Sequence, residues 1–306
     1  MAASSTKVIL AALVGNALIA VTKFIASAIT GSSAMLAESV HSLVDTGNQV
    51  LLLYGLKAAR RPPDERFPFG HGKEVYFWSF VVAILIFAVG AGVSIYEGIR
   101  HMLHPAPLES PLVNHIVLGL AMVFEGFALY FAVREFNKVR GRYGYLEAVR
   151  RGKDPTLFVV LFEDSAAMLG LIVAFVGIAL AQATGQYWLD GAASVVVGLI
   201  LAGTAVWLAI ETKSLLIGEG ADRSTVRSIR ALADSRPGVR GVNEVLTLHM
   251  GPEFLLVTLS IEFANDQSAD GIERIIAAID REIKDSYPEV RRVFVEAEAR
   301  KAGTSG

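Results

Sequence analysis

Cysteine is absent from all 306 residues. That excludes a disulfide framework, a thiolate metal site and a cysteine nucleophile, and leaves His, Asp, Glu and Asn to hold any metal. Charge is scarce as well. Charged residues make up 19% of the chain against 53% hydrophobic, and the mean hydropathy is +0.48, too apolar for an ordinary soluble enzyme. A formal net charge of −2 offers no basic surface to nucleic acid, so no such partner is expected. The sequence also lacks low-complexity tracts and internal repeats. Its first apolar run continues past the length of a signal-peptide core with no small-residue cleavage motif, so no cleavable leader is expected.

What is abundant is long apolar sequence. Six stretches of roughly 20 residues with few charges fall near 7–29, 33–56, 76–99, 112–133, 156–182 and 188–210, the length needed to cross a ~30 Å hydrocarbon layer. Lys and Arg collect in KAARRPPDERFPFGHGKE after the second stretch and in REFNKVRGRYGYLEAVRRGKD after the fourth, while ITGSS and LAQATGQYW carry none. By the positive-inside rule both termini face the cytoplasm, or the matrix of an organelle. A bacterial inner membrane is the expected location. The basic segment after the fourth stretch suits lipid headgroups or the tail domain.

After Gly220 the pattern changes. RSTVRSIRALADSRPG and ADGIERIIAAIDREIKDSYP carry helical periodicity, and VNEVLTLHMG, FLLVTLSIEF and RRVFVEAEA read as strands. The order αββαβ predicts a small α+β domain of ferredoxin-like type. The predicted fold is a polytopic α-helical membrane protein: six transmembrane helices over residues 1–215, and a cytoplasmic domain over 216–306.

Ionisable side chains in a spanning helix are costly and mark function by default. AESVHSLVDTGNQ sets Glu38, His41, Asp45 and Asn48 three or four residues apart, which puts them on one helix face. His41 and Asp45, one turn apart, can turn an imidazole nitrogen and a carboxylate oxygen onto one cation. The fifth stretch, DPTLFVVLFEDSAAMLG, carries the adjacent carboxylates Glu163 and Asp164, which repel unless a cation lies between them or one stays protonated. If the two helices are neighbours, His41, Asp45, Glu163 and Asp164, with Asn48, form an N/O site for a divalent metal. Glu38 lies toward the outer end and reads as solvated or structural. Glu125 either relays protons or bonds to a neighbouring helix. Asn16 and Lys23 line the same cavity, or Lys23 snorkels to the interface. Asp190 caps the sixth helix. In FPFGHGK, His71 with Asp64 forms either a second, loop-level metal site or a turn element.

Together these features resemble the cation diffusion facilitator family of divalent-metal/proton antiporters. The resemblance covers nearly the whole chain: six spans, the HxxxD pair His41 and Asp45, the PFGHGK loop from Pro68 to Lys73, LDGAASVVVGLIL, ETKSLLIGEG and the αββαβ tail. AESVHSLVDTGNQVLLLYG and DPTLFVVLFEDSAAMLG are similar to the branch typified by the mitochondrial zinc exporter. The resemblance implies alternating access, metal moving one way and protons the other, in a homodimer joined through the cytoplasmic tail. It implies zinc as cargo, with Mn, Fe or Co as alternatives, and a transporter rather than an enzyme.

Three departures stand out. The family's fifth-span HxxxD begins eight residues after the proline that opens the helix; counted from Pro155, those positions hold Glu163 and Ala167. Phe67 stands where the loop usually carries His. The tail keeps His249 as its one histidine, beside Glu296 and Glu298. Two other functions compete. A proton-coupled carrier of an organic substrate would need matched Gly/Pro interruptions in its helices, which the sequence lacks. An intramembrane metalloenzyme would need a general base beside its metal, and no HExxH is present.

Overall fold

The computed structural model describes residues 2–30, 33–105 and 111–299. The side chains of Glu38 and His41 lie outside the described residues. Long helices run first: α1 Ala2–Thr30, α2 Ser33–Ala59, α3 Glu74–Leu85, α4 Gly92–Leu103, α5 Pro111–Val139, the short α6 Tyr145–Arg151, α7 Pro155–Thr184 and α8 Trp188–Ile217. A π-helical turn, Ile86–Ala91, joins α3 to α4 without a break. Periodicity gives no warning of this inserted turn, because the segment is apolar all round.

Four helical runs among the described residues are long and apolar enough to cross a membrane: Glu74–Leu103, Leu112–Val139, Pro155–Thr184 and Trp188–Ile217. In α1 a shorter apolar stretch, Leu13–Ala26, is present, and the buried positions of α2 are polar from Ser39 to Gln49 and apolar beyond, at Leu52 and Leu56. The bundle buries apolar side chains such as Leu118 and Val159, yet it departs from a soluble protein in what it exposes and in the charged groups it buries. Val14, Leu18, Val21, Leu112, Phe127, Ile172 and Val176 are exposed, whereas Asn16, Lys23, Asp45, Asn48, Gln49, Glu125, Glu163 and Asp164 are buried. Such an arrangement suits a lipid surround, which welcomes the apolar side chains and forces polar ones inward.

Helix α1 packs on α2 and α5, and α5 packs on α7. The start of α7 is fixed by Asp154, whose carboxylate accepts the Thr156 N–H at 3.1 Å, with Pro155 in the first helical position. From there to Leu161 every residue of α7 is buried, so its first two turns run through the middle of the bundle. Helices α4 and α8 touch backbone to backbone. A Cβ on Gly191 would lie 2.6 Å from the Gly98 carbonyl oxygen, so only glycine allows the approach.

The chain divides into two compact units, one reaching to Arg60 and resuming over Glu74–Lys213, the other combining Arg61–Lys73 with the segment from Ser214 onward. In the second unit α9 (Arg223–Asp234) and α10 (Ala269–Ser286) accompany a three-stranded sheet ordered β1-β2-β3. Strand β1 (Val239–Gly251) runs antiparallel to β2 (Phe254–Phe263), with Val245 opposite Leu259; β3 (Val290–Ala297) runs parallel to β2, with Val295 opposite Leu259. The αββαβ order is the one expected. Alternate residues Leu255, Val257, Leu259 and Ile261 of β2 point into a core completed by Ile229, Ile279 and Ile283. Each fully buried aliphatic side chain there contributes about 1.5–3 kcal/mol. Asp222 caps α9 through the Ser224 N–H, and Ser268 caps α10 through the Gly271 N–H at 3.1 Å. The loop Arg61–Lys73 belongs to this unit because Gly72 lies against Met250 and Gly251 at the β1–β2 hairpin.

Candidate metal centre

Helix α2 presents Ser39, Ser42, Asp45, Asn48 and Gln49 as a buried polar face, built by the three- and four-residue spacing of the sequence. The expected face contained Asp45 and Asn48; Ser42 and Gln49 belong to it by the same spacing, although uncharged side chains gave weaker signals. His41 lies in α2 one turn before Asp45. On α7, Glu163 and Asp164 are 4% and 1% exposed.

The two helices meet at these residues. Asn48 donates its side-chain N–H to Glu163 Oε1 at 2.8 Å. The other carboxylate oxygen of Glu163, both oxygens of Asp164 and the side-chain oxygen of Asn48 are buried without a hydrogen-bond partner among the described residues. Lone pairs left unsatisfied in an apolar interior cost several kcal/mol, and a cation or proton is the usual remedy.

Beside this pair lies a narrow cavity of about 20 Å³ lined by Asn16 and Lys23 of α1, Ser42 and Asp45 of α2, Glu125 of α5, and Ala166, Ala167 and Gly170 of α7. It has room for one water-sized occupant. The small side chains of α7 make that space, and Ala167 is one of them. Lys23 is 3% exposed and donates to Ser42 Oγ at 3.0 Å, so it faces inward and does not snorkel. Glu125, 3% exposed, lines the same cavity and leaves Oε1 unpartnered. Among the described residues no three His, Asp or Glu side chains converge closely enough to hold a metal.

The loop carries a tighter arrangement. His71 Nε2 lies 3.0 Å from Asp64 Oδ2, while Asp64 Oδ1 accepts the backbone N–H of Arg66 at 2.9 Å and of Phe67 at 2.7 Å. The Phe67 and His71 rings pack with centroids 4.6 Å apart. The Phe67 N–H, and after it the His71 side chain, hold the Asp64 carboxyl below the usual carboxylate range. Asp190, expected to cap α8, is its third residue; an acidic group there still favours the positive helix end. In the tail His249 is buried and Glu296 exposed. Glu298 accepts from the Ser260 hydroxyl at 2.8 Å, and Asn243 donates to the Ser260 hydroxyl at 3.3 Å and to the Glu298 backbone oxygen at 3.0 Å.

Comparison with known proteins bears directly on this geometry. The chain is 35% identical over 259 residues to the mitochondrial proton-coupled zinc antiporter SLC30A9 of Xenopus laevis, covering 84% of this chain and 46% of that protein. The human SLC30A9 is 34% identical over 247 residues, covering 80% and 44%. Metal tolerance protein C4 of Arabidopsis thaliana is 30% identical over 236 residues, covering 76% and 52%. The chain thus spans about half the length of these relatives. Residues 221–300 match the family model of the cation efflux protein cytoplasmic domain. Residues 9–217, which contain the whole buried polar constellation, match that of the cation efflux transmembrane domain, and the chain therefore belongs to the cation efflux, or cation diffusion facilitator, family.

Proposed function

We propose that this protein is a secondary active transporter, not an enzyme, that exchanges a divalent metal ion, zinc first, for protons by alternating access. One observation carries the reading: Asn48 and Glu163 join α2 to α7 inside an apolar bundle, beside Asp164, whose two carboxylate oxygens are buried without a hydrogen-bond partner among the described residues. Ionisable groups held at that depth are expensive unless they serve an ion pathway. The names of the antiporter and metal-tolerance relatives agree with it.

In this reading His41, Asp45, Glu163 and Asp164 take the metal as substrate, with Asn48 orienting Glu163. Binding requires a neutral imidazole and ionised carboxylates, so protons compete with the metal for the same lone pairs. Histidine suits such an exchange because an unperturbed imidazole titrates near pH 6.5. Zinc is favoured by the relatives; a single imidazole among oxygens also admits Mn, Fe or Co.

The finer architecture follows the same proposal. Helices α1 and α2 complete six spans with the four long apolar runs, both termini are cytoplasmic, and the membrane is a bacterial inner membrane. Residues 1–215 transport, while 216–306 form a ferredoxin-like domain that pairs two copies. His71 and Asp64 take a metal at the loop only by giving up their mutual hydrogen bond. Lipid, metal ion and protons are then the partners.

The test is zinc uptake into proteoliposomes under an imposed pH gradient. Asp45→Ala should abolish uptake while the purified protein keeps its elution volume and helicity. Full uptake by that variant would overturn the assignment.

A further inference from the structure

Lys23 is the one Lys or Arg among the described residues whose side chain is buried. It reaches into the cavity from α1, donates to Ser42 Oγ at 3.0 Å, and shares the cavity with Asp45 and Glu125. Glu125 stands within electrostatic reach of both Asp45 and Lys23. Among the described residues that line this cavity, two carboxylates, Asp45 and Glu125, face the one ammonium of Lys23.

We propose that Lys23 is a tethered cation that shares the Asp45 and Glu125 carboxylates with the transported metal, and thereby sets how tightly the metal is held. The inference rests on the transport site proposed above. A divalent ion at Asp45 brings two positive charges close to an ammonium that cannot leave, and in a low-dielectric interior this repulsion weakens the bound ion. An ion site in a conduction path must be strong enough to load and weak enough to empty. The Asp45 and Glu125 carboxylates without Lys23 would load strongly and empty slowly. The stem of Lys23 keeps the competing charge at fixed reach, unlike a diffusible ion. The Ser42 hydrogen bond is one structural role of Lys23, and Ser42→Ala removes that bond while keeping the charge.

The experiment is zinc titration calorimetry on the full-length protein in detergent, with uptake measured in proteoliposomes. Lys23→Met, and Lys23→Gln, which keeps a donor for Ser42 without the charge, should bind zinc roughly tenfold or more tightly and transport it more slowly. Lys23→Arg and Ser42→Ala should bind within about twofold of the parent, inside the spread of a charge-conserving change. Lys23→Gln combined with Glu125→Gln should return affinity toward the parent value. Unchanged or weaker binding by Lys23→Gln, with binding abolished by Asp45→Asn, overturns the role of Lys23 alone. Parent-like binding by Asp45→Asn overturns the transport site itself.

Discussion

Asn48 on α2 donates to Glu163 on α7 at 2.8 Å, from positions 115 residues apart. Removing the donor leaves a buried carboxylate oxygen without its partner, a loss of about 1–3 kcal/mol. Asn48→Leu should therefore lower stability by that amount in denaturant titrations followed by tryptophan fluorescence, and should weaken zinc binding because Glu163 is no longer oriented. Parent-like stability would show that the bond is idle.

Glu163 and Ala167 stand where the family pattern has a second His and Asp. Glu163→His with Ala167→Asp should shift preference toward zinc over manganese, since imidazole nitrogen favours the softer ion and carboxylate oxygen the harder one. Competition calorimetry with the two metals reads the change. A zinc-to-manganese affinity ratio equal to that of the parent would place selectivity elsewhere in the bundle.

Much of this site is legible in the sequence because helical spacing and the cost of burying charge are both local rules. Asp45, Glu163 and Asp164 announce themselves as acids in apolar runs, and the αββαβ tail follows from its alternating and helical periods. What the sequence does not carry is helix adjacency. That Asn48 meets Glu163, or that Lys23 turns inward and not toward the headgroups, depends on which faces pack, and apolar helices exposed to lipid give little facial contrast. The π-helical turn at Ile86–Ala91 escapes for the same reason. Ser42 and Gln49 are visible only once the polar face is known, since each is unremarkable alone. Grouping of Arg61–Lys73 with the tail rests on a Gly72–Gly251 approach that no periodicity encodes.

Asp64 has its carboxyl held below the usual range, first by the Phe67 N–H and then by His71. A group whose folded value is depressed contributes stability above its unfolded value, about 3.9, and loses that contribution as pH falls through the lower folded value. The turn should therefore be insensitive to pH from neutrality down to about 4 on Asp64's account. Hydrogen exchange of the Arg66 and Phe67 amides reads it directly, after correction for the intrinsic exchange rate. Protection should persist through that range, fall below it, and be absent at all pH values in Asp64→Ala. A loss of protection in the parent between pH 7 and 5 would mean that another group governs the turn.

Gly191 and Gly203 lie on the same helix and make opposite predictions. A Cβ at Gly191 would fall 2.6 Å from the Gly98 carbonyl oxygen and 2.7 Å from the Met102 nitrogen, both backbone atoms, whereas nothing lies within 4 Å of one at Gly203. Backbone cannot swing aside as a flexible side chain can, so Gly191→Ala forces α4 and α8 apart and should cost at least about 1–3 kcal/mol. Gly203→Ala adds a methyl to open space in a helix interior and should be neutral or stabilising by up to about 1 kcal/mol. Thermal unfolding in detergent separates the two. Similar midpoints for both variants would mean that the α4–α8 contact is looser than the Gly98–Gly191 approach requires, since one added carbon can be harmless there only if the helices already have room to part.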